Sequence, residues 1–412
     1  MGGSLQVTVI GAGLAGLTVA LALARTGASV TVLEQAGALR EAGAGVQISP
    51  NGGAVLAALG LGAELCEISV PARAVDLYNG VSGGRVLRLN LEAGRPGVWP
   101  RLWPGGAAPG IRFVHRADLL GILAAAAHAA GVEIRLSQRI EQVTLDAAGP
   151  RWHGAAADAG GAALLIGADG LHSAVRSALN GAAQPFFTRQ VAWRALLPET
   201  PGAEPVAEVH MGPGRHLVSY PLRGGTLRNI VAVEERHAWA AEGWTVRDDP
   251  AALRAAFAGF APRVQGWLAQ VETVHLWGLF RHRVAACWHG QGAVILGDAA
   301  HPMLPFLAQG ANMALEDAFV LSRELARHAD PAAACAAYQA ARQARVARVV
   351  AASQANARAY HLRGPVRVAA HLALRAGGAL APGLPLRRFD WLYGHDVTAP
   401  AGQVRGGAAR RL

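Results

Sequence analysis

Leu5-Gln6-Val7-Thr8-Val9-Ile10 runs directly into Gly11-Ala12-Gly13-Leu14-Ala15-Gly16, and Leu17, Ala20, Leu21 and Ala24 then recur at helical spacing. A β-branched run, a glycine turn and a helical period read as strand, tight turn and helix. Ser29 to Leu33 forms a second β-rich run that ends in Glu34, 18 residues beyond Gly16. This is the order and spacing of a dinucleotide-binding fingerprint, whose acid falls about 20 residues after the last glycine. A pyrophosphate needs backbone N–H groups and the positive end of a helix, with no side chain in the way. Gly11 permits the turn, Gly13 lets phosphate approach, and Gly16 lets the helix pack on the strand, with Ala12, Leu14 and Ala15 completing the site. Glu34 accepts hydrogen bonds from an adenosine ribose and repels a 2′-phosphate. The nucleotide held here is therefore NAD or FAD, not NADP.

The rest of the 412-residue chain is 52% hydrophobic and 16% charged, a balance that predicts a globular protein of two or three lobes. All 38 basic residues are arginine. Without lysine there is no P-loop GK[ST], no pyridoxal Schiff base and no lysine nucleophile. The formal charge of +10 is spread from Arg25 to Arg411 with no basic block among aromatics, which favours anionic small molecules over nucleic acid. Cys66, Cys287 and Cys335 are far apart and show no ligand spacing, so neither a disulfide framework nor a metal site is expected. Leu14 to Ala24 lacks a basic flank and is broken by Gly16, which argues against a signal peptide; no run is long enough for a membrane span. A soluble cytoplasmic protein is expected.

Short alternating runs at Ala74–Tyr78 and Arg85–Leu89, and again at Val206–Met211, Leu217–Pro221 and Asn229–Val233, are separated by Gly and Pro. They predict one antiparallel sheet built from two insertions. Helix is expected at Arg116 to Ala130, and apolar strands of the nucleotide lobe at Ala162–Ile166 and Ala293–Leu296. The fold class is thus α/β: a Rossmann-like lobe from 1–70, 111–185 and 273–330, a substrate-binding sheet domain from 71–110 and 186–272, helices over 331–398, and a loose tail over 399–412. No fixed-period repeat is present.

Two further motifs decide the class. Leu165-Ile166-Gly167-Ala168-Asp169-Gly170-Leu171-His172-Ser173-Ala174-Val175-Arg176 joins a buried strand to a helix through Asp-Gly. Val294-Ile295-Leu296-Gly297-Asp298-Ala299-Ala300-His301-Pro302 does so through Gly-Asp, and continues through Phe306-Leu307-Ala308-Gln309-Gly310-Ala311-Asn312-Met313 into a helix carrying Glu316-Asp317. With these, the chain resembles the class A flavoprotein aromatic hydroxylases, FAD-dependent monooxygenases that share GxGxxG, DG and GD motifs. The resemblance covers nearly the whole chain. Three stretches read like the salicylate hydroxylase and 3-hydroxybenzoate 6-hydroxylase branch: Gly43-Ala44-Gly45-Val46-Gln47-Ile48-Ser49-Pro50-Asn51, Ala308-Gln309-Gly310-Ala311, and Asp390-Trp391-Leu392-Tyr393-Gly394.

The resemblance implies a tightly held FAD, with Asp298 on its ribityl or pyrophosphate part. Gly310, Ala311 and Asn312 would present N–H groups near the flavin ring, where a helix N-terminus stabilises negative charge. Gly45 and Val46 join that set, Arg116 matches a family arginine near FAD, and Arg40 sits where another often does. NADH or NADPH would bind transiently in a groove around Asp169, O2 would be co-substrate, and a C4a-hydroperoxyflavin would hydroxylate a phenolic, hydroxybenzoate-like ring.

On a strand, His216, Val218 and Tyr220 share one face, so a base and a phenol can line one pocket. A lone strand histidine is as readily structural. The resemblance implies that His216 and Tyr220 activate the substrate phenol, and an imidazole near its ordinary pKa suits that task. The branch pattern is not complete: Pro305 stands where one subgroup has a glutamine facing the substrate, and Phe306 where another has a histidine nearby. A pocket more apolar than in either is expected. His301 is expected to be structural or on the flavin side. Two other readings stand: oxygenation of a larger hydrophobic molecule such as a quinone precursor or antibiotic, and a non-catalytic FAD-binding protein whose arginines at 358–388 meet a membrane surface. A flavin halogenase would need the missing lysine. A homodimer is compatible with the sequence.

Overall fold

The computed structural model describes residues 4–39, 44–92, 98–99, 110–154, 157–236 and 246–399. Arg40, Gly43 and the tail beyond 399 lie outside them. The nucleotide lobe is built on a six-stranded sheet in the order His289–Gly290, Ala293–Ile295, Leu164–Gly167, Gln6–Ile10, Ser29–Leu33, Glu133–Arg135. All pairs but the first are parallel. Parallel strands need both faces covered, and Leu164–Gly167 and Ala293–Ile295 are buried throughout, whereas Gln6–Ile10 and Ser29–Leu33 alternate over their first residues. The helix Leu14–Ala24 lies against them and is apolar all round, with nine of its residues, Leu14 and Gly16 to Leu23, buried.

The second sheet has eight strands, ordered Arg247–Asp248, Val274–Arg281, Phe186–Pro198, Leu227–Glu235, Arg215–Leu222, Val206–Gly212, Ala74–Asn79, Arg85–Asn90. The two insertions do meet in one sheet, but the pair that joins them, Val206–Gly212 on Ala74–Asn79, is parallel. A boundary also moves. Val274–Arg281, assigned by sequence to the nucleotide lobe, is bonded to Phe186–Pro198 and belongs to this sheet.

The sheet's alternation separates two cores. One face carries Trp193, Leu217, Ile230 and Ala232 against Leu253, Val264 and Leu268 of two short helices. The other carries Ala192, Val233, Trp277 and Leu279 against Leu304 and Phe306 of the nucleotide lobe and Ala357 of the long helix Pro331–Tyr360. A three-stranded meander, Gln142–Asp146, Gly149–Gly154 and Ala157–Gly161, escapes the sequence reading. Its last strand, Ala-Asp-Ala-Gly-Gly, has no β-branched residue and is paired in register with Arg151, Trp152 and Gly154. The helix Gly364–Leu380 leaves Val366, Val368 and Leu372 exposed.

Candidate active site

Four neighbouring parallel strands deliver the sequence motifs to one edge of the sheet. Ile10 leads into the glycine turn, Leu33 into Glu34, Gly167 into Asp169, and Ile295 into Asp298. Ligand sites of open α/β sheets form at the carboxyl ends of strands for this reason. Gly11 has φ +100°, and a Cβ there would lie 2.5 Å from the Ala168 carbonyl oxygen; one on Gly16 would lie 1.8 Å from that of Gly11. Only glycine fits where turn, strand and helix touch. At Gly13 nothing stands within 4 Å of a Cβ position, and Gly13 supplies no side-chain cap. The N–H groups of Leu14, Ala15 and Gly16 therefore face outward without an intrahelical acceptor. Glu34 accepts from Ala12 N at 2.7 Å and Ala36 N at 2.8 Å, so it braces the turn as well as offering its remaining lone pairs to a ribose.

The other two motifs lock onto this turn. Gly297, with φ +59°, brings its own Cβ position to 3.1 Å from Ala15. Arg176, buried, donates to the carbonyls of Ala299 at 2.9 Å, Ala300 at 3.1 Å and Arg283 at 2.7 Å, tying the DG helix to the GD turn. Sequence reading quoted Arg176 without a role. Asp169 caps its helix through Ala174 N at 2.8 Å, while its Oδ1 has no partner among the described residues. Asp298 is exposed to the cleft and accepts no hydrogen bond from the described residues. The cleft walls raise its pKa against the pull of His301 and Arg116. Arg116 and Asp298 thus share the site that the sequence assigned to both.

The stretches Gly45–Asn51, Gln309–Asn312 and Trp391–Leu392 prove to be one hydrogen-bonded unit. Asn312 Oδ1 accepts from Ser49 N at 3.0 Å and its Nδ2 donates to Gln47 O at 3.0 Å. Asn51 donates to Glu316 at 2.7 Å, and Arg345 joins Glu316 by two bonds of 2.7 Å while donating to Trp391 O and Leu392 O. Arg342 closes the network onto Glu316 and Asp317. Burial alone would raise the Glu316 pKa, but Arg345 and Arg342 pull it well below the usual range. Asp317 in turn accepts from Gly297 N at 3.1 Å and meets the buried His301. The side chain of Asn312 is thus a bolt, leaving the helix-end N–H groups of Gly310, Ala311 and Asn312 to face the cleft.

The inner face of the second sheet closes the cleft. His216, Val218 and Tyr220 share that face, whereas Leu217 points to the opposite core. Tyr220 stacks on Phe113 at 4.9 Å, and a Cβ on Gly45 would come within 2.7 Å of its hydroxyl, so Gly45 is what admits the tyrosine. His216 is buried, meets the Phe306 ring edge-on at 5.2 Å, and sits 2.7 Å from His361 through Nδ1. Burial and His361 lower its pKa well below the ordinary value, which corrects the expectation of an unshifted imidazole. Four strand positions put His216 and Tyr220 roughly 13 Å apart along one face of the strand. Pro305 is exposed at the tip of its turn, whereas Phe306 is buried as the wall behind His216 rather than an open lining residue. Sequence reading missed His361, which lies 145 residues from its partner with no motif around it.

The close-approach glycines, two helix N-termini without side-chain caps, and an exposed Asp298 lacking a protein donor fit a dinucleotide with its pyrophosphate on the first helix. A family model described as "FAD binding domain" matches residues 4–353. The chain is 34% identical to a 3-amino-4-hydroxybenzoate 2-monooxygenase of Streptomyces platensis, over 96% of this chain and 97% of that one. It is 33% identical to a 3-hydroxybenzoate 6-hydroxylase of Polaromonas naphthalenivorans, over 95% and 96%. Among solved structures, HpxO of Klebsiella pneumoniae, complexed with FAD and uric acid, is similar with a TM-score of 0.78 and 26% identity, covering 94% of this chain and 97% of that one. A salicylate hydroxylase substrate complex shares the fold with a TM-score of 0.77 at 22% identity, covering 96% of each chain.

Proposed function

The chain belongs to the FAD binding domain family and is a flavin-dependent monooxygenase, and from that premise we propose that it hydroxylates a phenolic, hydroxybenzoate-like ring with NAD(P)H as reductant and O2 as co-substrate. The FAD would lie along Gly11–Gly16, with Glu34 on its ribose, Arg116 and Asp298 beside its linker, and Gly45, Val46 and the N–H groups of Gly310–Asn312 against its ring. When bound it supplies the redox chemistry and oxygen activation. The protein holds the ring substrate, excludes water and moves the phenol proton. The observation that carries this reading is His216, a buried imidazole with a lowered pKa on the sheet face that packs against Phe306, since an electrophilic oxygen donor needs an electron-rich phenolate. Tyr220 orients the substrate from the other end. Phe306, filling the space beside His216, favours a single small ring over a larger hydrophobic molecule. The hydroxybenzoate relatives support the same choice.

For the reductant, a hollow of about 470 Å³ lined by Arg139, Gln142, His172 and Ser177 adjoins the Asp169 turn and offers an arginine to a pyrophosphate. No helix among the described residues is long and apolar enough to cross a membrane. The exposed apolar residues of Gly364–Leu380, set among arginines, suit peripheral contact with an anionic surface, which vesicle co-sedimentation tests. The function itself is tested by screening phenolic acids for faster NADH and NADPH consumption with a product heavier by one oxygen. Absence of both signals across hydroxybenzoates, aminohydroxybenzoates and salicylates would overturn the substrate class.

A further inference from the structure

His216 is the inner end of a chain of contacts that runs to water. Its Nδ1 lies 2.7 Å from His361 Nε2, and His361 Nδ1 lies 2.9 Å from Glu235 Oε1. Glu235 is also paired with Arg363 at 2.7 Å. The two imidazoles are buried at 1% and 5% exposure, whereas the Glu235 side chain is 39% exposed, so two contacts span the distance from core to solvent. The backbone fixes all three groups. Gly214, in the turn before His216, donates to His361 O at 3.2 Å and accepts from Glu235 N at 2.9 Å. His361 follows the last turn of Pro331–Tyr360, and Glu235 ends the strand paired with that of His216.

We propose that His216, His361 and Glu235 form a proton relay that carries the substrate's phenolic proton to solvent, with His361 and Glu235 as positioning residues. The inference rests on reading His216 as the base. In the resting relay both imidazoles are neutral and protonated on Nδ1. His216 Nδ1–H donates to His361 Nε2, His361 Nδ1–H donates to Glu235, and His216 Nε2, which has no hydrogen bond among the described residues, keeps its lone pair for the phenol. The phenolic O–H bond breaks as its proton passes to His216 Nε2. The Nδ1 proton of His216 moves to His361 Nε2, and that of His361 moves to the Glu235 carboxylate, which releases it to water. Returning one proton to the product oxygen runs the chain backwards and restores both tautomers.

The need for a relay is electrostatic. A proton left on His216 would make an unpaired imidazolium in the core, since the groups around it are His361, the Tyr360 ring and Phe306, none of them anionic. His361 faces Glu235, Arg363 and Arg215, and Arg215 is itself paired with Glu234 at 3.1 Å. The two arginines oppose charge on His361, so the proton rests on neither histidine and leaves through the one carboxylate in contact.

The test uses oxidised holoenzyme mixed with 3-hydroxybenzoate in weak buffer containing a pH indicator, followed by stopped flow. Wild type is expected to release one proton per bound ligand at the rate at which the flavin spectrum reports binding. His361→Gln should bind with affinity within about threefold but release the proton at least about 10²-fold more slowly, Glu235→Gln should fall between, and imidazole should restore release in His361→Ala. Release at the wild-type rate in His361→Gln overturns the relay. Independently of substrate and variants, ¹⁵N-histidine NMR of wild type should find both rings neutral and protonated on Nδ1; an Nε2–H tautomer or a charged ring overturns it. If 3-hydroxybenzoate leaves the wild-type flavin spectrum unchanged, the substrate reading fails and the NMR result decides the relay.

Discussion

At Asp298 an exposed carboxylate accepts no hydrogen bond from the described residues, which leaves its lone pairs to a ligand. Asp298→Ala is therefore expected to weaken FAD binding by about 1.5–3 kcal/mol, one charge-assisted hydrogen bond. Equilibrium dialysis of the apoprotein checks this, and unchanged affinity would show that the residue serves the fold. His216 behaves differently because it acts on substrate. His216→Ala should leave flavin content intact while coupled hydroxylation falls 10²–10⁴-fold, roughly the worth of a general base. Peroxide should appear in place of product, and raising the pH should restore part of the turnover as the phenol ionises unaided. With its pKa held below the ordinary value, wild-type His216 stays neutral under mild acid, so the acid limb of kcat/KM should lie below pH 6.5. Gly11, Glu34 and Asp298 were legible in the sequence because each serves its own strand end, a local constraint that leaves a local pattern. Arg176 and His361 were not, since their partners arrive through the fold from 107 or more residues away.

Among elements, the helix Gly310–Arg327 adds a buried charge network to the apolar packing of Met313, Leu315, Ala318 and Leu321. Glu316, fully buried, is shared by Arg342, Arg345 and Asn51, and through them it joins the helix Pro50–Ala58, the helix Pro331–Tyr360 and the segment Asp390–Tyr393. The three separate stretches that marked the chain's branch in sequence are thus one network with Glu316 at its centre. Sequence could quote them but not connect them, because none lies within a helical or strand period of another. Buried pairs are costly to break singly, since the surviving partner keeps an uncompensated charge. Glu316→Ala should therefore lower unfolding stability by about 3–5 kcal/mol, read from denaturant midpoints. FAD loss should accompany it, because the helix end that faces the cleft would no longer be fixed. A shift under 1 kcal/mol would mean that Arg342 and Arg345 find water on unpairing.

Over the whole molecule the two sheets were read in outline, and the misreadings of pairing lie within the second, whose inner face packs on the long helix: the parallel junction at Ala74–Asn79 and the reassigned strand Val274–Arg281. Alternation reports which face of a strand is buried but not which neighbour it pairs with. The same interface concentrates the molecule's sensitivity to acid. His216 and His361, between the sheet and the long helix, have pKa values lowered first by burial, and burial lowers that of His395 beside the Glu316 network to about 4. A histidine whose pKa is lower folded than unfolded binds its proton more readily in the unfolded chain. Stability is then full above the unfolded value near pH 6.5 and falls as the pH drops below it, by up to about 1.4 kcal/mol per pH unit for each such histidine. Glu316 and Asp317, with lowered pKa values, lose stability in the same pH direction, and their loss begins as the pH falls into the ordinary carboxylate range and continues below it. Calorimetry of the holoenzyme should therefore show Tm falling in two stages, the first beginning near pH 6.5. His216→Gln should make that first stage shallower, His361 and His395 still contributing, and leave the second unchanged. A Tm constant from pH 7 to pH 5 in wild type would mean that water reaches the histidine pair, and the dry sheet-to-helix interface described above would be wrong.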